Sequence, residues 1–184
     1  DNYIKSGFNI LKIYITLIII FVVSMFATYS IPNDSIKLSV KESVAQLEQE
    51  GIYPKLFFGS RAAQLDNFTD SWMLNLAFTP NGKDIINSSL SNIYTNMDVE
   101  DNIKNLSEAV KNQKDGRVSS YSRYWHGYLT ILRPLLVFLN YTQIRFLNMC
   151  ILFGLFLIVN YLIKKKLGSG IMLSFFMTVM LSMF

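Results

Sequence analysis

The sequence predicts an all-α membrane protein in which a helical extracytoplasmic loop domain lies between the first and second membrane spans. Residues 13–31 carry no charge and show no polar face. A helix of this length reaches about 29 Å, close to the thickness of a hydrocarbon core. Two more apolar segments follow, at residues 144–163 and 168–184. The composition, 51% hydrophobic and 16% charged, is also more apolar than that of ordinary globular domains.

A cleaved signal peptide is the alternative interpretation of residues 13–31. The apolar run is longer than a typical signal-peptide core, and Ala27-Thr28-Tyr29-Ser30 is a poor small-x-small cleavage site. Because further apolar segments follow, we expect a membrane-spanning helix that is retained.

The charge distribution predicts the orientation. Residues 32–145 carry twelve basic and twelve acidic side chains and are neutral. The net charge of +4 therefore comes from the five lysines at the ends of the spans, less the single Asp1: Lys5, Lys12, Lys164, Lys165 and Lys166. By the positive-inside rule, residues 1–12 and 164–167 are cytoplasmic and residues 32–143 are extracytoplasmic. A nucleic-acid partner is not expected, because a nucleic-acid binder concentrates its charge on a folded surface. Because Cys150 is the single cysteine, an internal disulfide is excluded. An extracytoplasmic region without cysteines is normal for a bacterial plasma-membrane protein.

Residues 32–119 show helical periodicity and almost no strand signal. The first predicted helix ends at Gly51 and has an apolar stripe of Ile36, Val40, Val44 and Leu47. The second covers residues 65–78, with a face of Leu65, Phe68, Trp72 and Leu76, and ends at the turn signal of residues 79–82. Ile86, Leu90, Ile93 and Met97 indicate a third helix. A fourth begins at Asp98, with a stripe of Val99, Ile103, Leu106 and Val110.

Residues 120–143 are predicted to form an interfacial or re-entrant helix. The apolar stretch of residues 129–139 would be only about 16 Å long as a helix and contains Arg133 and Pro134, so it is too short to cross a membrane. Aromatic side chains precede it and are expected to anchor the headgroup region: Tyr121, Tyr124, Trp125 and Tyr128. The third span, residues 168–184, runs outward and is still apolar at its end. Since an initiator Met is also lacking, we expect a fragment of a larger polytopic protein.

Asp66 and Asp70 are the candidate catalytic residues. A spacing of four places both on one face of a helix, where one carboxylate could act as a general base with its pKa raised by the other, or both could hold a divalent cation. The alternative is a solvated acidic face at a helix N-terminus, where negative charge is favourable. The sequence does not establish whether a cofactor is needed.

Arg123, His126 and Arg133 are the candidate ligands of a lipid phosphate. Arginine can bind a phosphate with two parallel hydrogen bonds, and these cations lie among aromatic residues typical of a membrane interface. The alternative is non-specific anchoring, in which the arginines only reach the headgroups. A zinc site is not predicted, because the lone His126 has no cysteine or second histidine near it, and no residue is assigned as a metal ligand. Neither a nucleophile elbow nor a His/Cys dyad is present.

The layout resembles that of the GT-C class of membrane glycosyltransferases. The resemblance is carried by residues 51–54 (Gly-Ile-Tyr-Pro), 66–74 (Asp-Asn-Phe-Thr-Asp-Ser-Trp-Met-Leu) and 122–127 (Ser-Arg-Tyr-Trp-His-Gly), with Arg133-Pro134 beyond them. These stretches are also similar to parts of uncharacterised polytopic proteins of Gram-positive bacteria. The resemblance implies an essential acidic residue in the first outer loop and a sugar donor on a polyprenyl phosphate or pyrophosphate. In that class the acid usually follows the first span closely, whereas here only Asp34 does so.

Two functions are therefore expected from the sequence. The first is transfer of a sugar from a polyprenyl-phosphate carrier to a cell-envelope acceptor, with Asp70 or Asp66 as the base. The second is a non-enzymatic membrane component whose outer helical domain binds a partner or an export substrate. The lipid bilayer is a partner in both.

Overall fold

A computed structural model of the chain describes residues 2–56, 63–79, 85–91, 93–112, 116–121 and 126–182. This part is mostly helical, as predicted. The elements in chain order are α1 (Asn2–Tyr29), α2 (Asn33–Glu50), α3 (Asn67–Phe78), α4 (Ile85–Leu90), β1 (Ile93–Asn96), α5 (Asn102–Lys111), β2 (Arg117–Ser120), α6 (Leu129–Leu136), α7 (Tyr141–Leu167) and α8 (Ser169–Ser182). We call the part between α1 and α7 the inserted domain.

Among the described residues, two helices are long and apolar enough to cross a membrane. They are Lys5–Tyr29 within α1 and the whole of α7, and only 6% of the most apolar window of each is buried inside the protein. The sequence therefore identified both long apolar helices, and their crossing of a membrane stays a prediction. α7 begins three residues earlier than predicted, because Asn140 and Gln143 form a capping box at its N-terminus. α8 packs along α7, where the rings of Phe156 and Phe175 stack with centroids 6.1 Å apart.

α2 lies at the centre of the inserted domain and packs against α3, α5, α6 and α7. Its predicted stripe of Ile36, Val40, Val44 and Leu47 is buried. The helix ends at Gly51, which has a φ of 77° and donates its N–H to the Leu47 carbonyl over 2.9 Å. Glycine adopts this left-handed φ without steric cost, so the sequence signal for the end of the helix was correct.

The buried face of α3 differs from the predicted one. Leu76 is buried as expected, but Phe68 is 40% exposed, whereas Asn67, Ser71 and Asn75 lie in the interior. These polar side chains are tolerated inside because each forms hydrogen bonds there. A stripe defined by apolar residues therefore placed Phe68 inside wrongly and missed the polar part of the buried face.

The prediction of a wholly helical domain is wrong at β1 and β2, which form a two-stranded antiparallel sheet. Tyr94 is opposite Ser119 and Asn96 is opposite Arg117. The Asn75 amide donates to the Thr95 carbonyl over 2.9 Å and accepts the Thr95 N–H over 3.0 Å, as a neighbouring strand would. The third helix predicted from the sequence therefore corresponds to two separate elements: the six-residue α4 and the strand β1, which the Asn75 amide holds in place.

α5 begins later than predicted. Asp101 is its N-cap and accepts the N–H groups of Ile103 and Lys104, at 2.8 and 3.1 Å. Val99, expected on its apolar stripe, lies before the helix and is partly exposed. Ile103, Leu106 and Val110 are buried as predicted.

Candidate functional site

Asp66 occupies the N-cap position of α3. Its Oδ1 accepts the Thr69 N–H over 3.1 Å, and its Oδ2 accepts the Thr69 hydroxyl over 2.6 Å. These bonds satisfy a backbone donor that the first turn of a helix leaves free. The exposed Asp66 carboxylate therefore has an evident structural role.

Asp70, one turn further along α3, has a different environment. It is half-buried, and the hydroxyl of Tyr141, the first residue of α7, donates a hydrogen bond to its Oδ2. Burial raises the pKa of Asp70 from 3.8 to about 6. The charge of Arg145 opposes this rise, and the carboxylates of Asp66 and Glu50 add to it. Asp70 can therefore exchange a proton close to neutral pH, as a general base must.

Arg145 lies beside Asp70 and is paired with Glu50, the last residue of α2. Its Nη1 is 3.0 and 3.1 Å from the two carboxylate oxygens, and its Nη2 is 3.2 Å from Oε2. Nη2 also donates to Oδ1 of Asn67 over 3.0 Å. The guanidinium lies over the Tyr141 ring, 4.3 Å from its centroid. Both charged side chains are mostly buried, at 23% and 19% exposure.

Asn67 connects this ion pair to the chain that follows α2. Its amide donates to Oε2 of Glu50 over 3.0 Å and to the Gly51 carbonyl over 2.7 Å. Burial raises the pKa of Glu50, but the hydrogen bonds from Gln46, Asn67 and Arg145, together with the Arg145 charge, outweigh burial and lower it. Glu50 is therefore the ionised partner of Arg145, while Asp70 is the carboxyl that titrates. We call Glu50, Asn67, Asp70, Tyr141 and Arg145 the α7 cluster.

The sequence predicted only Asp70 among these five residues. Glu50 and Arg145 are 95 positions apart, and no local pattern connects them. A usable signal was Arg145 itself: a cation close to an apolar helix of membrane-spanning length is expected to have a partner. The identity of that partner depends on how α2 packs against α7.

Arg133, predicted to bind phosphate, is fully buried. Its guanidinium donates to the carbonyls of Thr28, Ile31 and Ala77 and to Oδ1 of Asn33, and it lies 5.0 Å from the centroid of the Tyr29 ring. Within the described residues no carboxylate forms an ion pair with it. The three carbonyls lie at or just beyond the C-terminal ends of α1 and α3. A helix C-terminus carries about half a negative charge, which favours a nearby cation. In this structure Arg133 joins helix ends, and none of its surface is open to a lipid phosphate.

The other predicted binding residues are also placed within the inserted domain. His126 is half-buried, and burial lowers its pKa against the opposing effect of a hydrogen bond with the Ser89 backbone. Tyr121 stacks on Trp72 with ring centroids 4.8 Å apart. Tyr128 is half-buried, and burial raises the pKa of its hydroxyl. Arg123, Tyr124 and Trp125 lie outside the described residues.

No cation site is assigned. In the part of the chain that the structure describes, no three or more His, Cys, Asp or Glu side chains are grouped so that they could hold a metal ion. Asp66 precedes α3 as its N-cap and accepts bonds from Thr69, whereas Asp70 lies in the first turn of α3 and accepts a bond from Tyr141.

Comparison with protein families, with characterised proteins and with solved structures gives no significant match. The function must therefore be inferred from the site itself.

Proposed function

We propose that this chain is a bacterial plasma-membrane protein of glycosyltransferase type, in which Asp70 is the general base. The observation that carries the proposal is the state of Asp70: a half-buried carboxyl, held at the start of α7, whose pKa is raised to about 6. Its neighbour Glu50 has a lowered pKa and is bound to Arg145. Carboxyl groups with separated pKa values are the pattern expected where one of them transfers protons.

In the proposed reaction, the ionised Asp70 accepts the proton of an acceptor hydroxyl. The hydroxyl oxygen then forms a bond to the anomeric carbon of the donor sugar, while the bond from that carbon to the polyprenyl-phosphate oxygen breaks. The released phosphate carries the electron pair away. Asp70 adjoins the N-terminus of α7, where a lipid-linked donor would reach the membrane surface. Arg133 is fully engaged elsewhere, so we assign no phosphate ligand among the described residues.

The test is replacement of Asp70 in the full-length protein. Asp70→Asn removes the base while keeping size and polarity, and should abolish sugar transfer to the cell surface. Asp66→Asn is the matched control, because asparagine is as good an N-cap as aspartate and should leave transfer near the wild-type level. The readout is surface-glycan composition together with the amount of protein in the membrane. Unchanged glycans in Asp70→Asn cells would refute Asp70 as the base.

A second candidate is a non-enzymatic membrane component that binds a partner or export substrate through the inserted domain. It is favoured by the positions of two residues predicted to bind phosphate. Arg133 is buried inside the inserted domain, and His126 is half-buried there. A thermal-shift measurement on detergent-solubilised protein separates the two candidates. A polyprenyl phosphate at about 100 times its dissociation constant should add roughly 2.7 kcal/mol of stability under the first proposal, and matched polyprenol should add none. Equal or absent shifts would favour the second.

A further inference from the structure

The charges along α7 define which part of the helix fits a hydrocarbon core. Residues 146–163 contain no charged side chain, and they are bounded by Arg145 and Lys164. Eighteen residues of helix span about 27 Å, close to the roughly 30 Å of a bilayer core. If α7 crosses the membrane, as the proposed function requires, Arg145 therefore marks one boundary of the hydrocarbon.

The chain that follows α2 is fixed at the level of this boundary. Glu50 binds Arg145 directly, with Nη1 and Oε1 3.0 Å apart. Residues 51–54 are then held by the start of α3: the Asn67 amide donates to the Gly51 carbonyl, the Asn67 N–H donates to the Ile52 carbonyl over 3.0 Å, and the Leu65 N–H donates to the Pro54 carbonyl over 2.9 Å. Three residues of chain extend at most about 10 Å, so Tyr53 lies close to the level of Arg145.

Large apolar side chains are exposed in the chain that follows α2 and at the start of α3. Tyr53 is 51% exposed, Leu56 is 60% exposed and Phe68 is 40% exposed. The rings of Tyr53 and Phe68 stack with centroids 6.4 Å apart and an interplanar angle of 23°. Lys55, between Tyr53 and Leu56, is also exposed. Single exposed apolar residues are ordinary, but a stacked exposed pair with a third large apolar side chain three positions from Tyr53 indicates contact with another apolar phase.

We propose that Tyr53, Leu56 and Phe68 contact the lipid headgroup region of the membrane that α7 crosses. Tyr53 and Leu56 follow Glu50 by three and six residues, and Glu50 is bound to Arg145 at the start of α7. Tyrosine is enriched at this level because its ring is apolar and its hydroxyl is polar, and the Lys55 ammonium can reach lipid phosphates. The inference rests on the membrane part of the proposed function and deepens it. It places the approach to Asp70 at the membrane surface, so that the substrate class this site serves is one that arrives within the bilayer.

Spin labels on single cysteines test this in vesicles of phosphatidylcholine and phosphatidylglycerol. The native Cys150, which is exposed on α7, provides the in-membrane reference. In a Cys150→Ser background, Tyr53→Cys and Leu56→Cys provide the test positions. Lys104→Cys is the aqueous control, because Lys104 is exposed on α5, which packs mainly on α2, α3 and β1. The measured quantity is the accessibility of each label to oxygen, which concentrates in lipid, relative to a water-soluble nickel complex.

We expect the oxygen-to-nickel ratio at Tyr53→Cys and Leu56→Cys to shift from the Lys104→Cys value toward the Cys150 value. Ratios equal to the Lys104→Cys value at both positions, with Cys150 in lipid, would overturn the inference alone. Low accessibility to both reagents would also overturn it, since protein would then cover the group. An aqueous ratio at Cys150 would instead refute the membrane crossing itself, and with it the proposed function.

Discussion

Replacing Arg133 should cost more stability than replacing any exposed cation of the inserted domain. The guanidinium is fully buried and donates to the carbonyls of Thr28 and Ile31 at the end of α1, to that of Ala77 near the end of α3, and to Asn33. Arg133→Met keeps most of the volume but removes the guanidinium donor from all four acceptors, of which the Thr28 carbonyl still accepts the Ile31 N–H. Each such acceptor costs about 1–3 kcal/mol, and the loss is partly offset because a cation no longer has to be desolvated. We therefore expect a loss of about 3–5 kcal/mol.

The measurement is urea unfolding of the protein in detergent micelles, followed by tryptophan fluorescence. Arg133→Lys, which keeps the charge but loses the planar fork, should fall between wild type and Arg133→Met. Arg117→Met is the matched control, because the Arg117 side chain is 80% exposed and its contact with Asp98 is 3.7 Å long; it should cost less than about 0.5 kcal/mol. If Arg133→Met and Arg117→Met were equally stable, the interior role of Arg133 would be refuted.

Three further outcomes follow from the site and the core. Because the pKa of Asp70 is about 6 when folded and 3.8 ordinarily, the folded chain holds a proton that the unfolded chain releases. Protonation of Asp70 therefore stabilises the folded chain, and this stabilisation is fully present below pH 3.8 and lost as the pH rises through about 6. The stabilisation amounts to about 3 kcal/mol before solvent screening and about 1–2 kcal/mol after it. The difference in unfolding free energy between wild type and Asp70→Asn, measured from pH 4 to pH 7, should fall by that amount, and a flat difference would contradict the raised pKa. Asn75→Leu should cost about 1–3 kcal/mol in chemical unfolding, because the Thr95 N–H loses the Asn75 side chain while the Thr95 carbonyl keeps only the Asn105 amide; a cost below that of an exposed Asn112→Leu change would contradict the bracing of β1. Gly116→Ala should cost about 1–3 kcal/mol in a thermal melt, because the added methyl meets the Thr95 and Met97 side chains, whereas Gly154→Ala meets nothing and is the control.

The features that the sequence predicted correctly depend on local patterns. The two long apolar helices need only composition, and α2 and α5 bury the apolar stripes read from their 3.6-residue period. The pattern failed where polar groups are inside: α3 buries Asn67 and Ser71 while Phe68 faces out, and β1 is held by an amide on α3. These arrangements follow from hydrogen-bond partners distant in sequence, which hydrophobic periodicity does not describe.

The candidate site shows the same division. The spacing of Asp66 and Asp70 drew attention to the start of α3, but it could not distinguish a helix cap from a half-buried carboxyl of raised pKa. Arg133 was predicted to bind a lipid phosphate because a cation near aromatic residues is typical of a membrane interface. Its actual partners are carbonyls as many as 105 positions away. Only packing decides which way such a side chain faces.

The inserted domain is attached to the two long apolar helices at separate points, through Arg133 at the end of α1 and through Arg145 at the start of α7. α2 runs from one attachment to the other and is 18 residues long, or about 27 Å. Its first residue, Asn33, is bound to Arg133 and its last, Glu50, is bound to Arg145. Because Asp70 accepts a hydrogen bond from Tyr141 at the start of α7, the position of this carboxyl depends on how α2 holds that end of α7.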